Sequence, residues 1–430
     1  MGVTGEAVAR HLRERGAIVV AVDDRGTDGV RRRAEAAGVE LVVAPDAARR
    51  RELVADADVV VPSPGVPESH PVFAEAAELD RPVRGEVELA SRWARQPIVA
   101  ITGTNGKTTV TELVTAMLIA SGVRSVAAGN IGLPLSDAVR RDVEVLVAEV
   151  SSFQLRFTDS FHPAVAVWLN LAEDHLDWHA DLGAYAAAKA RIWAHQTPKD
   201  VAVVNADDPI VTAWASKAPS RLVTFGLREP ADYRLEEGWL QSPAGPLVAV
   251  SDLARALPHD VANALAAAAA GLAAGATVDG VATALRAWRG LPHRVVLVAE
   301  AGGVRWYDDS KATNPHATLA AVAGFDSVVL IAGGRNKGLD LAPLREAAGR
   351  VRAVVALGEA GPDVAAAFAG VRPVVAAASM EAAVRAAADA ARPGDAVLLS
   401  PACASFDAYR SYAHRGEDFA RAVRELVGGR

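Results

Sequence analysis

The chain has 430 residues, 51% of them apolar and 23% charged, with a formal net charge of −7. At roughly 100–200 residues per domain, that length divides into two to four globular domains, three being the working count, and the composition excludes a disordered chain. The negative balance excludes a general surface for nucleic acid, the single cysteine, Cys403, excludes an intramolecular disulfide or a cysteine-built zinc site, and no apolar run reaches the roughly 18 uncharged residues of a membrane span.

The first residues lack the basic, apolar and small-residue order of a secretory signal, so the expectation is a cytoplasmic protein with no membrane and no nucleic-acid partner. From the N-terminus a helix at 6–15 is followed by a strand at 17–23, a helix at 31–37, and strands at 40–43 and 59–61, the last running into Pro62-Ser63-Pro64-Gly65. This alternation predicts βαβ units around a parallel sheet. A charged helix at 86–95 follows, and the first domain boundary is placed at residue 86.

After Pro97 a strand at 98–101 runs into Thr102-Gly103-Thr104-Asn105-Gly106-Lys107-Thr108-Thr109 and then into a helical pattern at 110–120. Strand, glycine loop and helix in that order make an anion cradle, because the helix N-terminus and successive backbone N–H groups converge on one point. Gly103 and Gly106 permit close approach, Lys107 supplies a cation and Thr108 offers a hydroxyl to magnesium. The loop is shorter than the ordinary G-x-x-x-x-G-K-[ST], with Ile101 where the first glycine belongs.

An apolar strand at 143–150 carries Glu149 near its end, just before Ser151-Ser152-Phe153-Gln154, and a strand at 164–169 ends in Asn170-Leu171-Ala172-Glu173-Asp174-His175-Leu176-Asp177. Ligands of open parallel sheets bind beyond the carboxyl ends of the strands, so both segments face the glycine loop's side of the sheet. Lys189, in a helix at 185–195, shares its apolar face with Tyr185, Ile192 and Trp193. Taken singly, Glu149 reads as a solvated rim residue, His175 as a surface histidine and Lys189 as a lysine snorkelling at a core edge. A strand at 201–205 and an alanine-rich helix at 261–274 lead to Leu291-Pro292-His293-Arg294, read as a hinge, which ends the second domain at 290. The third, 291–430, places Asp308-Asp309-Ser310-Lys311-Ala312-Thr313-Asn314-Pro315 after a strand at 304–307, and further strands at 327–332, 353–357 and 396–400.

These motifs, in this order and over nearly the whole chain, resemble those of the Mur ligases and their relative folylpolyglutamate synthase; the shortened glycine loop is the feature that separates them from ordinary NTPases. The resemblance implies an α/β fold of three domains: a Rossmann-like N-terminal domain binding a UDP-linked substrate (1–86), a central P-loop ATPase-like domain (87–290) and a C-terminal Rossmann-like domain binding an amino acid (291–430). It implies ATP-dependent amide formation by a monomer, with two magnesium ions. Thr108, Glu149, His175 and Lys189 would bind the metal, Lys189 as a carbamate, which turns a cation into an anionic oxygen donor suited to hard magnesium. Gly103, Thr104, Asn105, Gly106, Lys107, Thr108 and Thr109 would cradle the ATP phosphates, Asn263 would lie near adenine, Arg294 would reach phosphates or ribose and Asp309 the ribose. Lys107, His175, Lys189 and Lys311 would be catalytic, Lys311 neutralising the transferring phosphoryl group and His175 a candidate to deprotonate the incoming amine.

The stretch Gly333-Gly334-Arg335-Asn336-Lys337-Gly338 and the run from Leu399 to Asp407 resemble those family members that join D-glutamate to UDP-N-acetylmuramoyl-L-alanine. By that likeness Thr313, Lys337, Ser405, Phe406 and Tyr412 would surround D-glutamate, Val3, Thr4, Asp23, Asp24, Arg25 and Gly65 would bind UDP, and Asn130, Ser151 and Gln154 would touch the muramoyl group. Departures are Asp260, where asparagine is more usual, and Tyr412, where phenylalanine is commoner; the D-N-P-R motif of members adding a diamino acid is absent. Met1-Gly2-Val3-Thr4-Gly5 resembles the end of a turn that normally follows a strand, and the expectation is a natural chain longer by roughly 8–15 residues. The alternatives are a family member with another acceptor, a phosphate-loop binding module, and an inactive homologue.

Overall fold

The computed structural model describes residues 1–175 and 178–429. Contacts divide the chain into two compact bodies, the first made of Met1–Leu171, Trp178–Ala249 and Asn263–Arg286, the second of Ala172–Asp177, Val250–Ala262 and Ala287–Arg430. Among the described residues the strands form sheets of two, nine and six strands. No described helix is long and apolar enough to cross a membrane.

In the first body, helix Val3–Glu14 precedes the parallel pair Val20–Asp23 and Glu40–Val43. The strand expected at 59–61 is a single bridge, Val60 to Val83, since the prolines at 62 and 64 interrupt any longer ladder. Helix Val3–Glu14 is tied to the middle of the chain by His11, which is fully buried and hydrogen-bonded through Nε2 to Asp137 Oδ1 at 2.7 Å.

The nine-stranded sheet runs Gly245–Ala249, Trp239–Ser242, Tyr233–Glu236, Arg221–Gly226, Val201–Asn205, Val165–Trp168, Ile98–Thr102, Val145–Glu149, Ser125–Gly129. Its central strands are buried along their whole length, which is why they read as continuous apolar runs rather than alternating ones. Their register decides the site. Ile101 lies opposite Glu149, Thr102 opposite Trp168, and Gly129 opposite Glu149, so four strands end level at one edge. Five strands of the sheet, Ser125–Gly129, Arg221–Gly226, Tyr233–Glu236, Trp239–Ser242 and Gly245–Ala249, were not read from the sequence. Glu237 and Gly238 both have positive φ, 49° and 78°, a two-residue hairpin turn whose signal is the Glu-Gly dipeptide between short apolar runs.

In the second body the order is Val296–Ala301, Val304–Asp308, Ala396–Leu399, Val328–Gly333, Val351–Leu357, Val374–Ala377, parallel except for the first strand. Helices Pro315–Val322 and Gly361–Phe368 cover one face through Val322, Val364 and Phe368. Met380–Ala390 and Tyr412–Gly428 cover the other through Met380, Val384, Phe419 and Val423.

Candidate active site

Helix Lys107–Ala120 follows strand Ile98–Thr102 with Gly106 at its N-cap in the left-handed region, φ 86°. A side chain at Gly106 would place Cβ 2.6 Å from Asn263 Oδ1, so Asn263 lies directly against the loop. Gly106→Ala is expected to cost about 1–2 kcal/mol of stability and to raise the KM for ATP, checked by thermal unfolding and by ATP titration of turnover.

Lys107 Nζ donates to Gly103 O at 2.8 Å and to Thr104 O at 2.9 Å. Lys189, 1% exposed, donates to the same Gly103 O at 2.9 Å and lies 4.5 Å from the Tyr185 ring centroid. Two lysines 82 positions apart along the chain thus meet on one carbonyl. Thr108 Oγ1 donates to Glu149 Oε2 at 2.8 Å, and Asn130 Nδ2 donates to Glu149 Oε1 at 3.0 Å, so the carboxylate is held from both sides. A threonine hydroxyl and an oriented carboxylate are hard oxygen donors, a set that fits magnesium completed by phosphate and water oxygens. Among the described residues no three His, Cys, Asp or Glu side chains group as a metal cage.

Asn170 is a member of this site that the sequence left without a role. Its Oδ1 accepts from the backbone N–H of Thr104 at 3.1 Å and Asn105 at 2.9 Å, while its Nδ2 donates to Asn105 O at 3.1 Å. It clamps the loop from the end of the neighbouring strand; the sequence signal was an asparagine at a buried strand's end. Tyr185 likewise reaches the loop, its OH 3.3 Å from Thr104 Oγ1.

Ser151 and Gln154 are buried and bond to each other as a capping box on helix Ser152–Arg156, with Ser151 N–H donating to Gln154 Oε1 at 3.0 Å. Of the residues assigned to UDP, Asp23 Oδ1 accepts from the N–H groups of Arg25 and Gly26 at 3.1 Å each, Asp24 lies 3.4 Å from His70 Nε2, Val3 is exposed, and Gly65 has open space where a side chain would be. Trp178 Nε1 donates to Val66 O at 3.2 Å, fastening the 62–66 turn to the middle of the first body.

The remaining residues belong to the second body. His175 adopts φ 57°, and Asp174 beside it accepts from Asn314 Nδ2 at 3.0 Å and lies 3.9 Å from Lys337 Nζ. Leu176 and Asp177, the end of that motif, lie outside the described residues. Thr313 is half-buried, Ser405 buried, and Phe406 and Tyr412 are exposed, with Lys311 Nζ 5.3 Å from the Tyr412 ring centroid. Asp309 accepts from Ser400 Oγ at 2.7 Å, and burial pushes its carboxyl up to about 7. A folded-state value above the ordinary one means that the folded chain retains a proton the unfolded chain has released. Stability from this group is therefore full below the ordinary carboxylate range and is lost as the pH rises through about 7. Asp309→Asn, which does not ionise, is expected to gain on the unsubstituted chain in thermal midpoint as the pH rises from about 4.5 to about 8; parallel profiles would refute this.

Three family descriptions match successive parts of the chain: "Mur ligase MurD-like, N-terminal domain" over residues 1–85, "Mur ligase middle domain" over 101–271 and "Mur ligase, glutamate ligase domain" over 293–403. The UDP-N-acetylmuramoylalanine--D-glutamate ligase of Frankia casuarinae is 47% identical over all of this chain and 93% of its own length. That of Syntrophotalea carbinolica is 42% identical over 99% of this chain and 96% of its own. Among solved structures, a pseudomurein peptide ligase type C from Methanothermus fervidus superposes with a TM-score of 0.65 at 18% identity, covering 99% of this chain and 98% of that one. MurF from Acinetobacter baumannii also reaches 0.65, at 19% identity, covering 94% and 90%. Both share the fold.

Proposed function

The chain belongs to the Mur ligase family, and on that premise we propose that it is the ATP-dependent ligase that adds D-glutamate to the L-alanine carboxylate of UDP-N-acetylmuramoyl-L-alanine, a step of peptidoglycan precursor synthesis. The observation that carries the reading is the bond between Thr108 of the shortened glycine loop and Glu149 at the adjacent strand end, 2.8 Å. It joins a phosphate cradle to an oxygen-donor pair, which is what charge-crowded phosphoryl transfer to a carboxylate requires. The substrates are ATP, UDP-N-acetylmuramoyl-L-alanine and D-glutamate, and the reading places the reaction in the cytoplasm.

A carboxylate is a poor electrophile. In the proposed reaction an oxygen of the L-alanine carboxylate attacks the γ-phosphorus of ATP and ADP leaves, giving an acyl phosphate. The amine of D-glutamate then attacks the acyl carbon, losing a proton, and phosphate departs from the tetrahedral intermediate. Thr108 and Glu149 would hold magnesium, which when bound neutralises charge on the phosphate oxygens. Lys107 and the loop N–H groups would steady the phosphates, and Asn170 would keep the loop in the cradle conformation. Asn130 orients Glu149. Lys189 would act as a carbamate: beside Lys107 on Gly103 O, that change replaces a like charge by an opposite one. Thr313, Lys337, Ser405, Phe406 and Tyr412 would receive D-glutamate, whose two carboxylates need paired donors when withdrawn from water.

The test is phosphate release from ATP with UDP-N-acetylmuramoyl-L-alanine and a panel of amino acids. Turnover with D-glutamate alone is the expected result. Turnover with L-alanine or a diamino acid and none with D-glutamate would overturn the reading.

A further inference from the structure

Arg415, in helix Tyr412–Gly428, is 2% exposed. Its Nε donates to Ser310 Oγ at 2.9 Å, and its Nη2 to Ser310 O at 2.9 Å and Cys403 O at 3.1 Å. Its Nη1 donates to Ala404 O at 3.2 Å and Gly333 O at 3.5 Å. All these acceptors are neutral oxygens, so a buried guanidinium is satisfied by three separate loops and, among the described residues, by no direct carboxylate bond. Burial lowers its pKa to about 10, which leaves it charged at neutral pH.

Each loop leads within a few residues to a side chain assigned above to D-glutamate: Ser310 to Thr313, Gly333 to Lys337, and Ala404 to Ser405. Ser310 Oγ also donates to Tyr412 O at 2.8 Å, which brings in a fourth. Space for the guanidinium is kept by Gly334, where a Cβ would stand 2.9 Å from Arg415 Nη1 and 2.3 Å from Ala404 O. A planar fork with five donors can serve three loops at once, whereas a lysine ammonium is a single point.

We infer that Arg415 is a positioning residue for the acceptor amino acid: without touching it, the guanidinium gathers the Ser310, Gly333 and Cys403–Ala404 backbones so that the side chains beyond them converge. The inference rests on the D-glutamate reading. Its test measures KM for each of the three substrates, kcat and the thermal midpoint for the unsubstituted chain, Arg415→Lys and Ser310→Ala. Arg415→Lys is expected to raise the KM for D-glutamate about tenfold or more, with the KM values for ATP and the UDP-linked substrate unchanged. Ser310→Ala, which deletes one shared hydroxyl, should move the same constant in the same direction by less. Equal rises in all three KM values, or an unchanged KM for D-glutamate in folded variants, overturn the inference. If Arg415→Lys does not fold, the Ser310→Ala result decides. An unsubstituted chain that releases no phosphate with D-glutamate overturns the function reading and this inference with it; normal turnover alongside an unchanged KM overturns the inference alone.

Discussion

Glu149→Gln is expected to lower kcat/KM about 10²–10³-fold while leaving the thermal midpoint nearly unchanged. The carboxylate is 3% exposed, and its two oxygens accept from Thr108 Oγ1 and Asn130 Nδ2. Glutamine has the same shape. Its carbonyl still accepts from Asn130, and the Thr108 hydroxyl rotates to accept from the new amide, so packing and hydrogen bonding persist. What disappears is a negative charge among hard oxygen donors, and magnesium binds such a site through that charge. Steady-state phosphate release across a magnesium series checks it, with the expected loss only partly recovered at high magnesium. A kcat/KM within threefold of the unsubstituted chain at every concentration would show that Glu149 holds no metal.

Lys189→Ala is expected to cause a loss of similar size, and the manner of its rescue tells the two forms of the side chain apart. As an ammonium, Lys189 donates to Gly103 O at 2.9 Å and stands over the Tyr185 ring. A role in that form predicts rescue by small alkylammonium ions. As a carbamate it would supply anionic oxygens, and the cavity left by alanine should then accept acetate or propionate with partial return of activity. Growth in the presence of ¹³C-bicarbonate should also give the unsubstituted chain one carbamate resonance that Lys189→Ala lacks. Rescue by amines and not by carboxylates would sink the carbamate.

The elements most legible in the sequence were those buried on both faces. Val145–Glu149 and Val201–Asn205 are apolar up to their last residue because helices or neighbouring layers leave no solvent side, and that pattern needs no knowledge of partners. The bridge at Val60 and the hairpin at 233–242 were less legible: the first is limited by prolines, the second by short exposed strands with weak alternation. In the candidate site, residues with distinctive chemistry in a motif, such as Lys107, Thr108 and Glu149, were found directly. Asn170 and Arg415 were not, because their part is to bond backbone, and any asparagine or arginine has the same appearance in a sequence.

The shortened loop and the order of motifs along the chain, with Ile101 in place of a glycine, determined by themselves which family this protein belongs to, since covalent order and residue chemistry are local properties. The tertiary structure decided which of those residues share a site. Thr108 and Glu149 are 41 positions apart and meet because parallel strands in register end level at one edge of a sheet, a constraint of backbone hydrogen bonding that no single segment carries; Gly103 and Lys189, 86 apart, meet because helix Leu182–Ala190 buries Lys189 against the loop at that edge.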